Sequence, residues 1–429
     1  MIKNKLLSNI LIYGGITGVS RMLPLILLPF YLSVISITDF GKIEVLISLY
    51  NLLIIFGSLQ METAIQRYMY HVENKVNFTY TICIIILALS AITSIIVSIF
   101  STDLSILLFE SDNQSRNIII ITVNTILFNT STILLIHFRY TDKEIIFSIL
   151  TLFQVIISSI VTYILVVIEK TGVQGYIIGL GSGWLFVLVV SLPIIFRKQC
   201  LVFETNFIKK SLDFSIPQIP ARFGSFFVQF GNRFVTLALL GTQSVAILGV
   251  SNKFAAIFQL IYIAFNMAWN PYLYKNENND NLERNINIIL KYLIITIIFL
   301  FALIHFLGSF IIDYFFNNEY EDVKKYIILA VIPSSMLIIK EILETGIRLS
   351  NKTKYISYSY FASAGLMFFL MIISKNLVDI FLSSIVSTTV LLILSWFYSE
   401  KTYKKIKFQR RFLILFLFII TIIPIHHYI

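Results

Sequence analysis

Apolar runs of about twenty residues, separated by short polar turns, recur along nearly the whole chain and leave few folds open to it. Twenty helical residues reach roughly 30 Å, the hydrocarbon thickness of a bilayer, and a backbone in lipid has to satisfy its own polar groups. Such runs fold as membrane-spanning helices. They are predicted near 9–34, 43–70, 79–100, 117–138, 145–168, 174–196, 214–240, 247–274, 287–312, 325–348, 355–374 and 377–399, with a weaker run at 412–425. This gives an all-α polytopic membrane protein of about twelve spans, or thirteen if the last run crosses. Of 429 residues, 57% are hydrophobic and only 13% charged, which excludes a soluble globular domain. The first run contains Arg21 and lacks a small-residue cleavage site, so it reads as a retained helix and not a signal peptide.

A net charge of +10 invites a nucleic-acid reading, but the basic residues gather in one set of short loops beside the spans. With the N-terminus cytosolic, the inner loops hold about twenty Lys and Arg and the outer loops about six, so the charge sets orientation. No nucleic-acid partner is expected. Arg197, Lys198, Lys209 and Lys210 mark a central inner loop, and Asp103, Glu110 and Asp112 an outer one. The predicted organisation is a six-helix lobe at 1–198, an inter-lobe loop at 199–212, a second six-helix lobe at 213–400, and a basic segment with a marginal helix at 401–429.

The seventh run carries the main functional signal. At about 100° per residue, Gln218, Arg222, Gln229 and Arg233 fall within about 60° of one another, with Phe223, Phe227, Phe230 and Phe234 opposite. An arginine near mid-membrane costs at least ~2.5 kcal/mol, so a pair of them is predicted to line a polar cavity holding an anion. Polar stripes recur in the second span (Glu44, Ser48, Asn51, Ser58, Glu62, Gln66) and the eighth (Asn252, Gln259, Asn266, Asn270). Arg21 shares a face of the first span with Gly14, Thr17 and Gly18. Interhelical packing through hydrogen bonds is the competing reading for the Asn and Gln positions. Two halves whose leading helices are kinked by proline and polar within suggest a transporter. Gly175, Gly179 and Gly183 recur every fourth residue in the sixth span and predict close helix packing.

Several chemistries find no support. There is no phosphate-binding loop for an ATP-driven pump. His71, His137, His305, His426 and His427 are scattered without metal-ligand spacing, and Cys83 and Cys200 form no disulfide framework. No metal and no cofactor are predicted. Outer loops of at most about sixteen residues leave little room for a polymerase's catalytic centre. Glu344 lies four residues from both Lys340 and Arg348 and predicts an intrahelical ion pair, whereas Glu341 has no evident local partner. Glu341 and Glu62 are therefore the candidates for H⁺ or Na⁺ coupling.

The order of four short motifs points to a family. The 9–32 segment with Gly14-Gly15 and Pro29, the Asp39-Phe40-Gly41 turn, Ala64-Ile65-Gln66-Arg67-Tyr68, and Ser215-Ile216-Pro217 resemble Wzx-type O-antigen and capsular repeat-unit flippases. These belong to the multidrug/oligosaccharidyl-lipid/polysaccharide exporter superfamily. The resemblance implies a MATE-like fold, two six-helix lobes in a V around a central cavity. It also implies export of undecaprenyl-diphosphate-linked oligosaccharide across the bacterial inner membrane, with membrane lipids and other polysaccharide-assembly membrane proteins as partners and no enzymatic activity. Arg21, Arg222 and Arg233 would then bind the diphosphate, since guanidinium groups hold phosphate bidentately. Asn51, Gln218, Gln229, Asn252, Gln259, Asn266 and Asn270 would meet sugar hydroxyls. A lipid II flippase, a multidrug exporter and a membrane-embedded polymerase remain the alternatives.

Overall fold

The computed structural model describes residues 22–197, 201–275, 280–316, 318–350, 352, 354–403, 406–409, 411 and 413–418. Arg21 and most of the 412–425 run lie outside them. The helices are α1 (Met22–Leu32), α2 (Ile37–Ser58), α3 (Met61–Tyr68), α4 (Lys75–Ile99), α5 (Ser101–Phe109), α6 (Ser115–Tyr140), α7 (Glu144–Tyr163), α8 (Gly172–Phe196) and α9 (Asn206–Ser215). They continue as α10 (Ile219–Phe226), α11 (Asn232–Phe254), α12 (Ala256–Lys275), α13 (Leu282–Phe315), α14 (Val323–Leu343), α15 (Thr345–Leu349), α16 (Lys354–Ile372) and α17 (Leu377–Thr402). No strand occurs among the described residues. Ten helical stretches there are long and apolar enough to cross a membrane.

The chain divides into two compact units, Met1–Phe226 and Phe227–Ile429. The division falls inside the stretch read from sequence as the seventh span, not in the 199–212 loop. Aromatic contacts explain it: Phe207 meets Phe78 at 4.9 Å between ring centroids, Phe214 meets Tyr68 at 5.9 Å and Phe223 meets Phe56 at 5.2 Å. These rings fasten α9 and α10 to the first unit.

In the first unit the second span is broken. Leu59 and Gln60 adopt left-handed φ of 45° and 60°, a strain of roughly 1–3 kcal/mol each for residues with a Cβ. Neighbouring helices bond carbonyls at and just before the break: Asn129 Nδ2 donates to Ile54 O (3.5 Å) and Ser90 Oγ to Gly57 O (3.1 Å). Tight packing elsewhere relies on glycine. A Cβ on Gly183 would sit 2.1 Å from the Gln154 carbonyl oxygen, and one on Gly179 2.0 Å from Thr162 Oγ1 and 2.7 Å from its Cα. The small-residue ridge of α8 thus lets α7 approach backbone to backbone. Gly183→Ala should lower the stability of the unit by about 1–3 kcal/mol, seen as a reduced midpoint in a thermal unfolding series in detergent. An unchanged midpoint would show that α7 can give way without cost.

In the second unit the stretch from Arg222 to Phe254 is long enough for a span but kinks at Gly241, whose φ of 79° and ψ of 178° suit only glycine. The hairpin expected between the seventh and eighth spans is this kink. The α14–α15 stretch, Val323–Leu349, is 78% buried within its apolar window, against 28% for α13. It is the central helix of its unit, and Lys340, Glu341 and Glu344 near its end are buried within that unit.

Candidate functional site

The seventh-span stripe does not survive as one regular helical face. After α10 the backbone passes through a π-helical turn, Phe227–Gly231, before α11 begins. An i→i+5 turn takes up an extra residue, so the 100° phase counted from Arg222 no longer predicts where Arg233 points. Arg222, in the first unit, is exposed. Arg233, in the second, is 6% exposed. Its Nη1 donates to Gln229 O at 2.7 Å and to Asn232 Oδ1 at 3.2 Å. Its guanidinium carbon lies 5.4 Å from the Phe230 ring centroid. Phe230, expected opposite the arginines, is instead a surface on which one of them rests.

The amide positions divide similarly. Asn51 Nδ2 donates back to Ile47 O (2.8 Å) and Gln218 Nε2 to Phe214 O (2.9 Å), so each amide is held by its own helix. Gln229 and Gln259 are exposed and Asn252 is half-buried. Asn266 and Asn270 belong to α12, but their side chains lie outside the described set, as Arg21 does. Glu62 is the second residue of α3, directly after the left-handed break. Its Oε2 is buried with no hydrogen-bond partner among the described residues.

Among the described residues, the largest buried charge cluster is in the second unit. Lys340 Nζ lies 3.1 Å from Glu341 Oε1 and 3.0 Å from Glu344 Oε1. Arg348 Nη2 lies 2.5 Å from Glu341 Oε2 and 3.1 Å from Glu344 Oε2. Two cations and two carboxylates alternate around a closed circuit with no formal charge. Tyr262 of α12 donates to Glu341 Oε1 (2.9 Å), and Lys340 donates to the Tyr360 hydroxyl of α16 (2.9 Å). The network therefore joins four elements of the unit, α12, α14, α15 and α16. Lys340, Glu341 and Glu344 are at most 3% exposed.

The pairing of Glu344 with Lys340 and Arg348 follows from i±4 spacing. Glu341, read from sequence as lacking a local partner, has three. Its bond to Arg348 uses i,i+7 spacing, two turns apart on nearly one face, a signal present in the sequence. The helix also breaks at Glu344, between α14 and α15. There Gly346 N donates to Ser399 Oγ (2.8 Å) on α17. A Cβ on Gly346 would fall 2.5 Å from Ser399 O, so α15 is pinned in place with Arg348 on it. The two tyrosines arrive from distant helices, and no local spacing announces them. Among the described residues no group of three or more His, Cys, Asp and Glu is placed to hold a metal ion.

Solved structures define the fold class. The lipid II flippase MurJ in an inward closed conformation aligns over 96% of this chain and 92% of its own, with a TM-score of 0.76 at 17% identity. A multidrug resistance MATE family transporter in an inward-facing conformation aligns over 89% and 94%, with a TM-score of 0.70 at 12% identity. A superfamily transporter from Pyrococcus furiosus, described as having a binding pocket of reverse polarity, aligns over 92% and 93%, at 0.60 and 11%. The fold is MATE-like, as the sequence motifs imply. The chain belongs to the polysaccharide biosynthesis protein family, whose model matches residues 6–277. The MatE model also matches, over residues 220–373. No curated protein matches the sequence.

Proposed function

We propose that the protein moves a lipid-linked oligosaccharide, carried on undecaprenyl diphosphate, from the cytoplasmic to the outer leaflet of a bacterial inner membrane. The observation that supports this most is membership of the polysaccharide biosynthesis family on a fold shared with a lipid II flippase. In this reading Arg21, Arg222 and Arg233 serve the diphosphate and the polar residues of the second, seventh and eighth spans serve the sugars. The polyprenyl tail stays in the bilayer, since an apolar chain gains nothing by entering a polar site. Of the two carboxylates considered for ion coupling, Glu62 suits it better. Glu341 is already neutralised by Lys340 and Arg348.

In cells, removing the protein should leave repeat units on the carrier in the cytoplasmic leaflet and deplete surface polysaccharide. Surface polysaccharide at the normal level, with no accumulation, would reject the assignment. The orientation has its own test. A cysteine placed at Gln199 in a cysteine-free background should resist an impermeant maleimide in intact cells and react in inverted vesicles, and labelling of intact cells would reverse the topology.

A further inference from the structure

In the first unit, the start of α4, the end of α6, the start of α7 and the end of α8 enclose a cavity of about 380 Å³. Its polar lining is basic throughout: His137, Lys143 and Arg197. Asp142 and Glu144 flank Lys143 in sequence but do not line it. The remaining wall is apolar, chiefly Pro193, Ile194 and Ile195 of the last turn of α8.

His137 forms the floor at 3% exposure, and its hydrogen bonds fix how it faces the cavity. Thr79 Oγ1 donates its single proton to Lys75 O (2.8 Å), so at 2.7 Å from His137 Nδ1 it can only accept. Nδ1 therefore carries a proton. The hydrogen bond of the ring is made through Nδ1, which leaves Nε2 as the ring nitrogen for a ligand. Lys143 and Arg197 are exposed at the rim. Leading away from it are exposed apolar side chains, Val189 at 61% and Ile194 at 46% on α8, and Ile145 at 68% on α7. The basic cavity thus sits where an apolar outer face ends, the level of lipid headgroups.

We propose that this cavity binds the phosphate of an anionic lipid. Arg197 and Lys143 meet the phosphate oxygens from the rim, and His137 Nε2, the acceptor nitrogen in this tautomer, accepts from a headgroup hydroxyl or a terminal P–OH at the floor. The acyl or prenyl chains lie along the exposed faces of α7 and α8. Basic pockets between transmembrane helices suit such headgroups, and the volume falls in the range of small-molecule sites. The loop charge bias places this end at the cytoplasmic leaflet, where anionic lipid is concentrated. The phosphate has two sources there, a glycerophospholipid or the polyprenyl diphosphate carrier.

Native mass spectrometry of the intact purified protein, titrated separately with phosphatidylglycerol, phosphatidylcholine and undecaprenyl diphosphate, tests this. One or both anionic lipids should bind in preference to phosphatidylcholine. Arg197→Gln with Lys143→Gln, both surface changes, should weaken that binding by about 10- to 30-fold. Preference for phosphatidylglycerol alone assigns a glycerophospholipid site, and preference for undecaprenyl diphosphate assigns a docking site for the carrier. Equal binding of phosphatidylcholine, or binding unchanged in the double variant, overturns the proposal. Because phosphatidylglycerol binding is independent of transport, the site and the flippase reading can fail separately.

Discussion

Glu344→Gln should destabilise the second unit by about 3–5 kcal/mol, because it leaves Lys340 and Arg348 facing one carboxylate in a buried site. Removing both members of a pair should cost far less. Lys340→Met combined with Glu344→Gln keeps the circuit neutral through Glu341 and Arg348, so the double variant should recover most of the loss. A coupling energy of 0.5–3 kcal/mol is typical for residues in one network, and a fully buried charge belongs at or above the upper end. The measurement is the unfolding midpoint in detergent for both single variants and the double. If the losses simply add, the residues do not form one electrostatic unit.

The second large effect concerns transport. Arg222→Ala and Arg233→Ala should each lower export of the lipid-linked oligosaccharide by roughly 10- to 100-fold, the value of a hydrogen bond to a charged group. Arg233 also donates within its own helix, so loss of folding has to be separated from loss of binding. Arg233→Lys makes the separation. It keeps the charge but loses the planar fork, and a guanidinium that recognises phosphate bidentately will not be replaced by an ammonium. Protein present at the normal level in the membrane, with polysaccharide still at the cell surface in both alanine variants, would remove the arginines from the substrate path.

Much of the architecture is readable in the sequence because lipid imposes it. Span length and the four-residue glycine repeat of α8 each answer to one physical requirement, and most of the long helices and the close packing of α7 on α8 follow them. What escaped depends on irregular backbone or on partners from distant segments. The π-helical turn at Phe227–Gly231 has no strong sequence mark, yet it changes where Arg233 points. The left-handed pair Leu59 and Gln60 breaks a run that looks continuous by hydropathy. Glu341 looks solitary because no cation stands at i±3 or i±4, while its partners lie at i−1, at i+7 and on α12. Gly241 is an ordinary residue in an apolar stretch until its φ of 79° shows that the chain turns there.

The placement of charge also separates two tasks. The Lys340–Glu341–Glu344–Arg348 circuit is internally neutral and tied to α12 and α16 by tyrosines, which suits a fixed joint in the unit. The arginines of the seventh span have no acidic residue beside them in sequence, from Phe214 through Leu240. A positive excess of that kind in an apolar segment matches a diphosphate better than a cationic drug.

Translocation itself is the most direct measurement. The purified protein would be reconstituted into liposomes carrying a polyprenyl-diphosphate oligosaccharide with a fluorescent sugar, and the fraction reached by an impermeant quencher followed over time. The protein is expected to raise this fraction from about one half towards completion while the vesicles stay sealed, and Arg222→Ala with Arg233→Ala to abolish the rise. A quenched fraction that stays at one half with the folded wild-type protein present would contradict the assignment.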